Sequence, residues 1–215
     1  DLEKKVFSNV NQWKGDLKVV ENFVTSKNIN SLIAENCNFD ADLFSIDIDG
    51  TDYWVINKLK SNFSKIFIGE YNAIFGDKFD ISVPDIENFN RESYHYSHLC
   101  YGMSLRALIR IMKEKGFYFI GTNNFKNNAF FINDLFPKDE YFSNFDIIDD
   151  NILTSHTNSI YKESRNKFGE LNFLSGNQRL DIIKNCEIID FTSENGTLKK
   201  IKDLKDYEEK NLINS

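Results

Sequence analysis

The chain has 215 residues, 41% hydrophobic and 27% charged, the proportions of a globular protein with one core and room for an appendage. Its net charge of −7 argues against nucleic acid as main partner, since that needs a basic face. There is no apolar run of transmembrane length and no signal-peptide pattern. We therefore expect no membrane partner. Cys37, Cys100 and Cys186 are an odd, scattered set without metal-ligand spacing, as expected of reduced thiols in a cytoplasmic protein. The first residue is Asp1 rather than Met, from which we expect a trimmed or processed chain.

Leu2, Val6, Val10 and Trp13 fall at helical spacing and predict a short amphipathic helix over residues 1–14. Residues 18–24, KVVENFV, are rich in β-branched and apolar side chains and predict a strand. Thr25 or Ser26 then caps a helix from Lys27 to about Asn36, buried through Ile29, Leu32 and Ile33. A strand over 43–48 follows. Next come a helix over 51–59, facing inward with Tyr53, Trp54, Ile56 and Leu59, and a second buried strand over 65–71. Residues 72–101 form a long, aromatic-rich connection holding Gly76, Pro84, His95 and His98; a loop of that length is a lid or binding segment.

Residues 104–115 are the clearest helix, with Ser104 as cap, Leu105, Leu108, Ile109 and Met112 as core face and Gly116 as stop. Strands over 117–121 and 127–133, joined by a polar turn at 122–126, predict an antiparallel hairpin. Beyond Asp134 the periodicity weakens, leaving a strand over 182–191 and a helix over 161–167. The expected architecture is α/β: strand-helix three times over in residues 1–133, hence a mostly parallel sheet closed by the hairpin, with residues 134–215 as a peripheral extension.

The chemistry concentrates in residues 42–54, DLFSIDIDGTDYW, where an apolar run ends in Asp47 and Asp49 and is followed by Gly50. In open α/β sheets ligands sit beyond the carboxyl ends of the strands, and Gly50 is free to take positive φ. A plain structural role also exists for either acid, as the cap of the following helix. If the two central strands are neighbours, Asp47, Asp49, Glu70 and Asn72 meet as a hard-oxygen cluster, suited to Mg²⁺, Ca²⁺ or Mn²⁺ rather than Zn²⁺. Such an ion lowers the pKa of a substrate hydroxyl. Without it, Asp47 or Glu70 accepts the hydroxyl proton as a general base. His95 and His98 lie three apart in the long connection, and His98 is the candidate for a substrate-facing base, although a loop histidine is more often a surface residue. Tyr94, Tyr96 and Tyr101 are candidates for lining a sugar pocket.

Three stretches in this order, DLFSIDIDGTDYWV, IFIGEYNAIFG and YGMSLRALIRIMKEKGFYFIGTNNFKNNAFFI, resemble FkbM-type proteins within the Rossmann-type S-adenosylmethionine-dependent methyltransferases, over residues 17–133. In FkbM-type enzymes one apolar strand ends in an Asp-x-Glu-Gly-type motif and a later strand in Glu; this chain has Asp47-Ile48-Asp49-Gly50 and Glu70-Tyr71-Asn72. The resemblance implies a Rossmann-like fold, S-adenosylmethionine held beside Val24, Thr25 and Asp47, and O-methylation of a small-molecule or glycan hydroxyl. It also marks a departure. The family's glycine-rich first strand and its ribose-binding second strand should precede residue 18, yet no Gly-x-Gly occurs before residue 50 and Gly15 stands alone. The N-terminal strands are therefore expected to be missing.

Three other readings share these residues. DIDGT matches the opening of haloacid-dehalogenase-type phosphatases, with Asp47 as nucleophile, Asp49 as acid and Asp149-Asp150 resembling their late metal pair. An Asp-x-Asp strand end also suits a Mn²⁺-dependent glycosyltransferase. A binding module without cofactor is the fourth.

Overall fold

Runs such as LFSI, KIFI and AFFI alternate faces with a period of two, the pattern of strands that bury one face more than the other. The computed structural model describes residues 18–37, 41–135, 153–158, 163–205 and 207. Its first half holds helix α1 (Ile29–Asn36), strand β1 (Ala41–Ile46), helix α2 (Asp52–Lys58), strand β2 (Ser64–Glu70), the short strand β3 (Ile81–Ser82) and the single turn α3 (Arg91–Tyr94). Helix α4 (Leu105–Glu114) and the hairpin β4 (Phe117–Thr122) and β5 (Asn128–Asn133) follow. Helices α5 (Leu153–Thr157) and α6 (Asn177–Ile182) and strands β6 (Glu187–Asp190) and β7 (Thr197–Lys200) complete the described elements.

The main sheet has the order β1-β2-β5-β4. β1 and β2 are parallel, with Leu43 opposite Ile66 and Ile46 opposite Gly69. β5 runs antiparallel to both β2 and β4, so β1, β2 and β4 point one way and the inserted β5 the other. Phe44, Ile46, Phe67, Ala129, Phe131, Phe117 and Phe119 share one core with Val55 and Ile56 of α2 and Leu105, Leu108, Ile111 and Met112 of α4. Ser104 begins α4 as expected, its hydroxyl accepting the Ala107 N–H at 3.1 Å.

A second, antiparallel sheet has the order β3-β6-β7. It gathers a second core in which Ile74, Phe75, Phe79 and Ile81 meet Leu180, Ile183, Ile188 and Ile201, so residues from both sides of Asp134 share this core. Arg110 ties the two cores together. Its guanidinium donates to Asp80 at 2.8 Å and to the Tyr53 hydroxyl at 3.2 Å, and lies 4.6 Å from the Phe191 ring centroid.

Several expectations change. Residues 18–24 form no strand, and Val19, Val20 and Phe23 are exposed. High β-propensity expresses packing against neighbouring strands, and among the described residues none lies beside the outer edge of β1. The strand-helix alternation therefore occurs twice rather than three times, and the sheet is mixed. The strand expected over 182–191 contracts to β6, because residues up to Ile182 belong to α6. Residues 163–167 are not helical; Arg165 bridges Leu171 instead. The helix expected over 1–14 lies outside the described residues. Among the described residues no helix is long and apolar enough to cross a membrane.

Candidate acidic site at the strand ends

Beyond Ile46 the chain must turn into α2 within a few residues, and Asp52 makes that turn. This first residue of α2 is 1% exposed. One carboxylate oxygen accepts the Ile48 N–H at 3.0 Å and the other the Gly50 N–H at 2.9 Å. The capping work foreseen for Asp47 or Asp49 thus falls to Asp52, and the other two acids project from the turn exposed. Burial pushes the Asp52 carboxyl up to about 6, Asp47 adds to the rise, and the two backbone N–H groups oppose it. The left-handed residue is Asp49, with φ 53°, not Gly50; a short polar side chain tolerates that region.

Glycine at position 50 answers a different constraint, close approach: a Cβ there would stand 2.9 Å from Cδ1 of buried Phe89. We expect Gly50→Ala to cost about 1–3 kcal/mol in urea unfolding by overpacking that ring. An unchanged midpoint would show that the ring yields freely.

Because β1 and β2 are parallel with Ile46 level with Gly69, the residues that follow emerge side by side at one rim. Carboxylate oxygens of Asp47, Asp49 and Glu70 all lie within 4.8 Å of one another. At an effective dielectric near 20, two such charges repel by about 3 kcal/mol, and by less where water reaches the outer pair. Glu70 is buried, whereas Asp47 and Asp49 are exposed. Arg91, opening α3, donates a guanidinium N–H to the Asp49 carboxylate, which offsets part of this charge. The same guanidinium lies 5.2 Å from the ring centroid of Tyr101. Tyr101 is buried beside the acids: burial first and Glu70 second raise its hydroxyl well above the usual phenol range, while Arg91 opposes them.

Asn72 does not join the acids as a ligand. It is fully buried, its amide nitrogen donating to the carbonyls of Leu99 at 2.8 Å and Tyr101 at 3.1 Å, its oxygen accepting the Ile74 N–H at 3.2 Å. It pins the far end of the long connection to the end of β2. Asn72→Ala leaves buried backbone groups unpaired and should lower the unfolding free energy by about 2–4 kcal/mol; a denaturant midpoint equal to wild type would contradict this role.

The pinned segment carries His98, whose φ of 59° is left-handed. Its side chain lines a cavity of about 100 Å³ with Arg91, Leu99, Tyr101, Glu163, Ser164 and Arg165. Arg91 and Tyr101 thus belong to both the acidic rim and this cavity. His95 instead turns back onto its own loop, Nδ1 2.7 Å from the Ser97 hydroxyl. Of the three candidate tyrosines, Tyr94 donates to the Glu187 carbonyl at 2.6 Å, Tyr96 lies against His95, centroids 4.3 Å apart, and Tyr101 lines the cavity.

Val24 lines a separate hollow of about 220 Å³ with Asn22, Phe23, Ile48, Gly50, Thr51 and Phe89. Thr25 is not among its lining residues: its hydroxyl accepts the Lys27 and Asn28 N–H groups, each at 3.3 Å, and helps start α1. Asp149 and Asp150 lie outside the described residues.

Sequence reading missed Asp52, Arg91 and Arg165. Asp52 carried a usable signal, an acid at the first helical position directly after a Gly-containing turn. The two arginines carried none, since their place depends on distant loops meeting. The chain matches no family model, no curated protein and no solved structure.

Proposed function

We propose that this chain is a methyltransferase-like α/β protein, similar to the FkbM type, whose acidic rim presents a hydroxyl of a small molecule or glycan for O-methylation. One observation carries the reading: Asp47, Asp49 and Glu70 converge within 4.8 Å at the carboxyl ends of two neighbouring parallel strands, in a sheet that finishes with an antiparallel hairpin. A parallel sheet finished by such a hairpin is similar to the Rossmann-type methyltransferase fold, and strand ends of open α/β sheets are where ligands bind.

S-adenosylmethionine is matched only in part by the described residues. The hollow beside Gly50 offers Phe23, Val24, Ile48 and Phe89 as apolar walls, but no acid for a ribose diol and no glycine-rich turn lines it. These residues do not make a cofactor site by themselves, so the reading rests on the acceptor side. Three clustered carboxylates are the donor set of a hard divalent cation such as Mg²⁺. Held by Asp47, Asp49 and Glu70, such an ion supplies Lewis-acid activation of a bound hydroxyl.

The chain's own residues do the rest. Where no ion is held, Glu70, buried at the end of β2, accepts the hydroxyl proton as general base. Asp47 and Asp49 orient the acceptor. Arg91 holds Asp49 in place, and Asp52 holds the turn that carries both. Positioning of this kind is the main source of acceleration in a displacement between two bound groups.

The test is labelled methyl transfer from S-adenosylmethionine to hydroxylated glycans, with calorimetry of S-adenosylmethionine binding. Transfer that falls about 100-fold in Glu70→Gln supports the reading. No binding and no transfer, by this chain or by one extended at its N-terminus, overturns it. Hydrolysis of p-nitrophenyl phosphate with Mg²⁺, lost in Asp47→Asn, would replace it with the phosphatase.

A further inference from the structure

We propose that the cavity behind Arg91 is an anion subsite, which takes the carboxylate or phosphate of a substrate whose hydroxyl lies over Asp47, Asp49 and Glu70. The inference rests on the acceptor-side reading above and adds the chemical class of the acceptor.

The lining is rich in donors. Of the five N–H groups a guanidinium carries, Arg91 gives one to Asp49. Arg165 gives one to the Gly169 carbonyl at 3.0 Å and one to Glu163 at 3.3 Å. Most of both forks is left uncommitted among the described residues, and the His98 ring has no hydrogen-bond partner among them. Among the described lining residues the one carboxylate is Glu163, whose side chain pairs with Arg165 at 3.3 Å and is 63% exposed. Two guanidinium forks and an imidazole around one space favour an acceptor-rich, planar or tetrahedral anion, which arginine binds bidentately.

Size narrows the ligand further. A volume of about 100 Å³ is well below the roughly 300–1,000 Å³ of a whole ligand site. A single carboxylate or phosphate group is of this scale. The remainder of the substrate must lie outside, and the shared residues Arg91 and Tyr101 direct it toward the acidic rim.

The walls are built to hold shape. The Ser164 hydroxyl donates to Asn172 at 2.6 Å and accepts the Leu174 N–H at 2.8 Å. The Arg165 N–H bonds the Ser97 carbonyl at 3.3 Å, which joins this loop to the His98 segment. His98 is held in its left-handed conformation between Ser97 and the Asn72-pinned Leu99. Such backbone outliers persist where surrounding structure enforces them, and they cluster at ligand sites.

The test is calorimetric titration of the full chain with D-glucuronate, D-glucose 6-phosphate and inorganic phosphate, with D-glucose as the neutral control. At least one anionic sugar is expected to bind about tenfold tighter than glucose, and Arg165→Gln to erase that preference without changing the melting temperature. His98→Gln serves as the second variant should Arg165→Gln fail to fold, with the same weakening expected. Glucuronate binding with phosphate silent assigns a carboxylate; the reverse assigns a phosphate. Glucose binding as tightly as the anions, no binding of any anion, or an anion preference that survives both substitutions overturns the proposal. Methyl transfer measured on the same samples separates the two readings. Anion preference without transfer, by this chain and by one extended at its N-terminus, sinks the methyltransferase reading alone, and transfer to neutral acceptors without anion preference sinks the subsite alone.

Discussion

Mn²⁺ or Ca²⁺ at a hundredfold excess over its dissociation constant will raise the melting temperature by about 5–10 °C, and Glu70→Gln will remove most of that rise. An ion that binds only the folded state at this excess stabilises it by about 2.7 kcal/mol, and a protein of this size gains roughly 2–4 °C per kcal/mol. The folded state alone assembles the site, because Asp47 and Glu70 come from different strands brought level by the β1–β2 register. The metal-free protein supplies the control. Three carboxylates within 4.8 Å repel one another, so neutralising Glu70 will hold or raise the melting temperature without ion. A carboxylate that served only structure would lower it. The reading fails if wild type shows no ion-dependent shift, or if the variant shifts equally.

The second large effect lies under the site. Asp52 is nearly fully buried, and its carboxyl is pushed from its ordinary value near 3.8 up to about 6. The folded state therefore binds the proton more tightly than the unfolded chain. Below about pH 3.8 both states are protonated and no difference remains. Between pH 3.8 and 6 the unfolded chain ionises first, so this group costs the folded protein stability as pH rises, and the full cost stands above pH 6. At 1.36 kcal/mol per unit the cost reaches about 3 kcal/mol by pH 7.

Asp52→Asn removes the ionisation. Wild type should therefore lose about 2.5 kcal/mol relative to Asp52→Asn between pH 4 and pH 7, measured by urea denaturation across that range. Parallel stability curves would refute the account. Asp52→Ala adds a separate penalty, since the Ile48 and Gly50 N–H groups lose their acceptor. We expect it to destabilise by about 2–4 kcal/mol even at pH 5, and to weaken ion binding by loosening the turn.

Local pattern carried much of this protein. Apolar runs of period two located β1, β2, β4 and β5, and the stripe after Ser104 located α4 with its cap, because burial of one face leaves a trace within a few residues. The meeting of Asp47, Asp49 and Glu70 was also legible, since strands joined by one helix commonly lie side by side and their ends share a rim. What only the tertiary structure decided depends on residues far apart. KVVENFV had the composition of a strand, but a strand needs a neighbour, and none lies beside it among the described residues. Asn72 looked like a ligand and is instead held by carbonyls of the 99–101 segment. Arg91 reaches Asp49 across 42 positions, and Arg165 joins His98 only because their loops dock. Side-chain chemistry is written in the chain, whereas which loops close over it is set by long-range packing that no local window records.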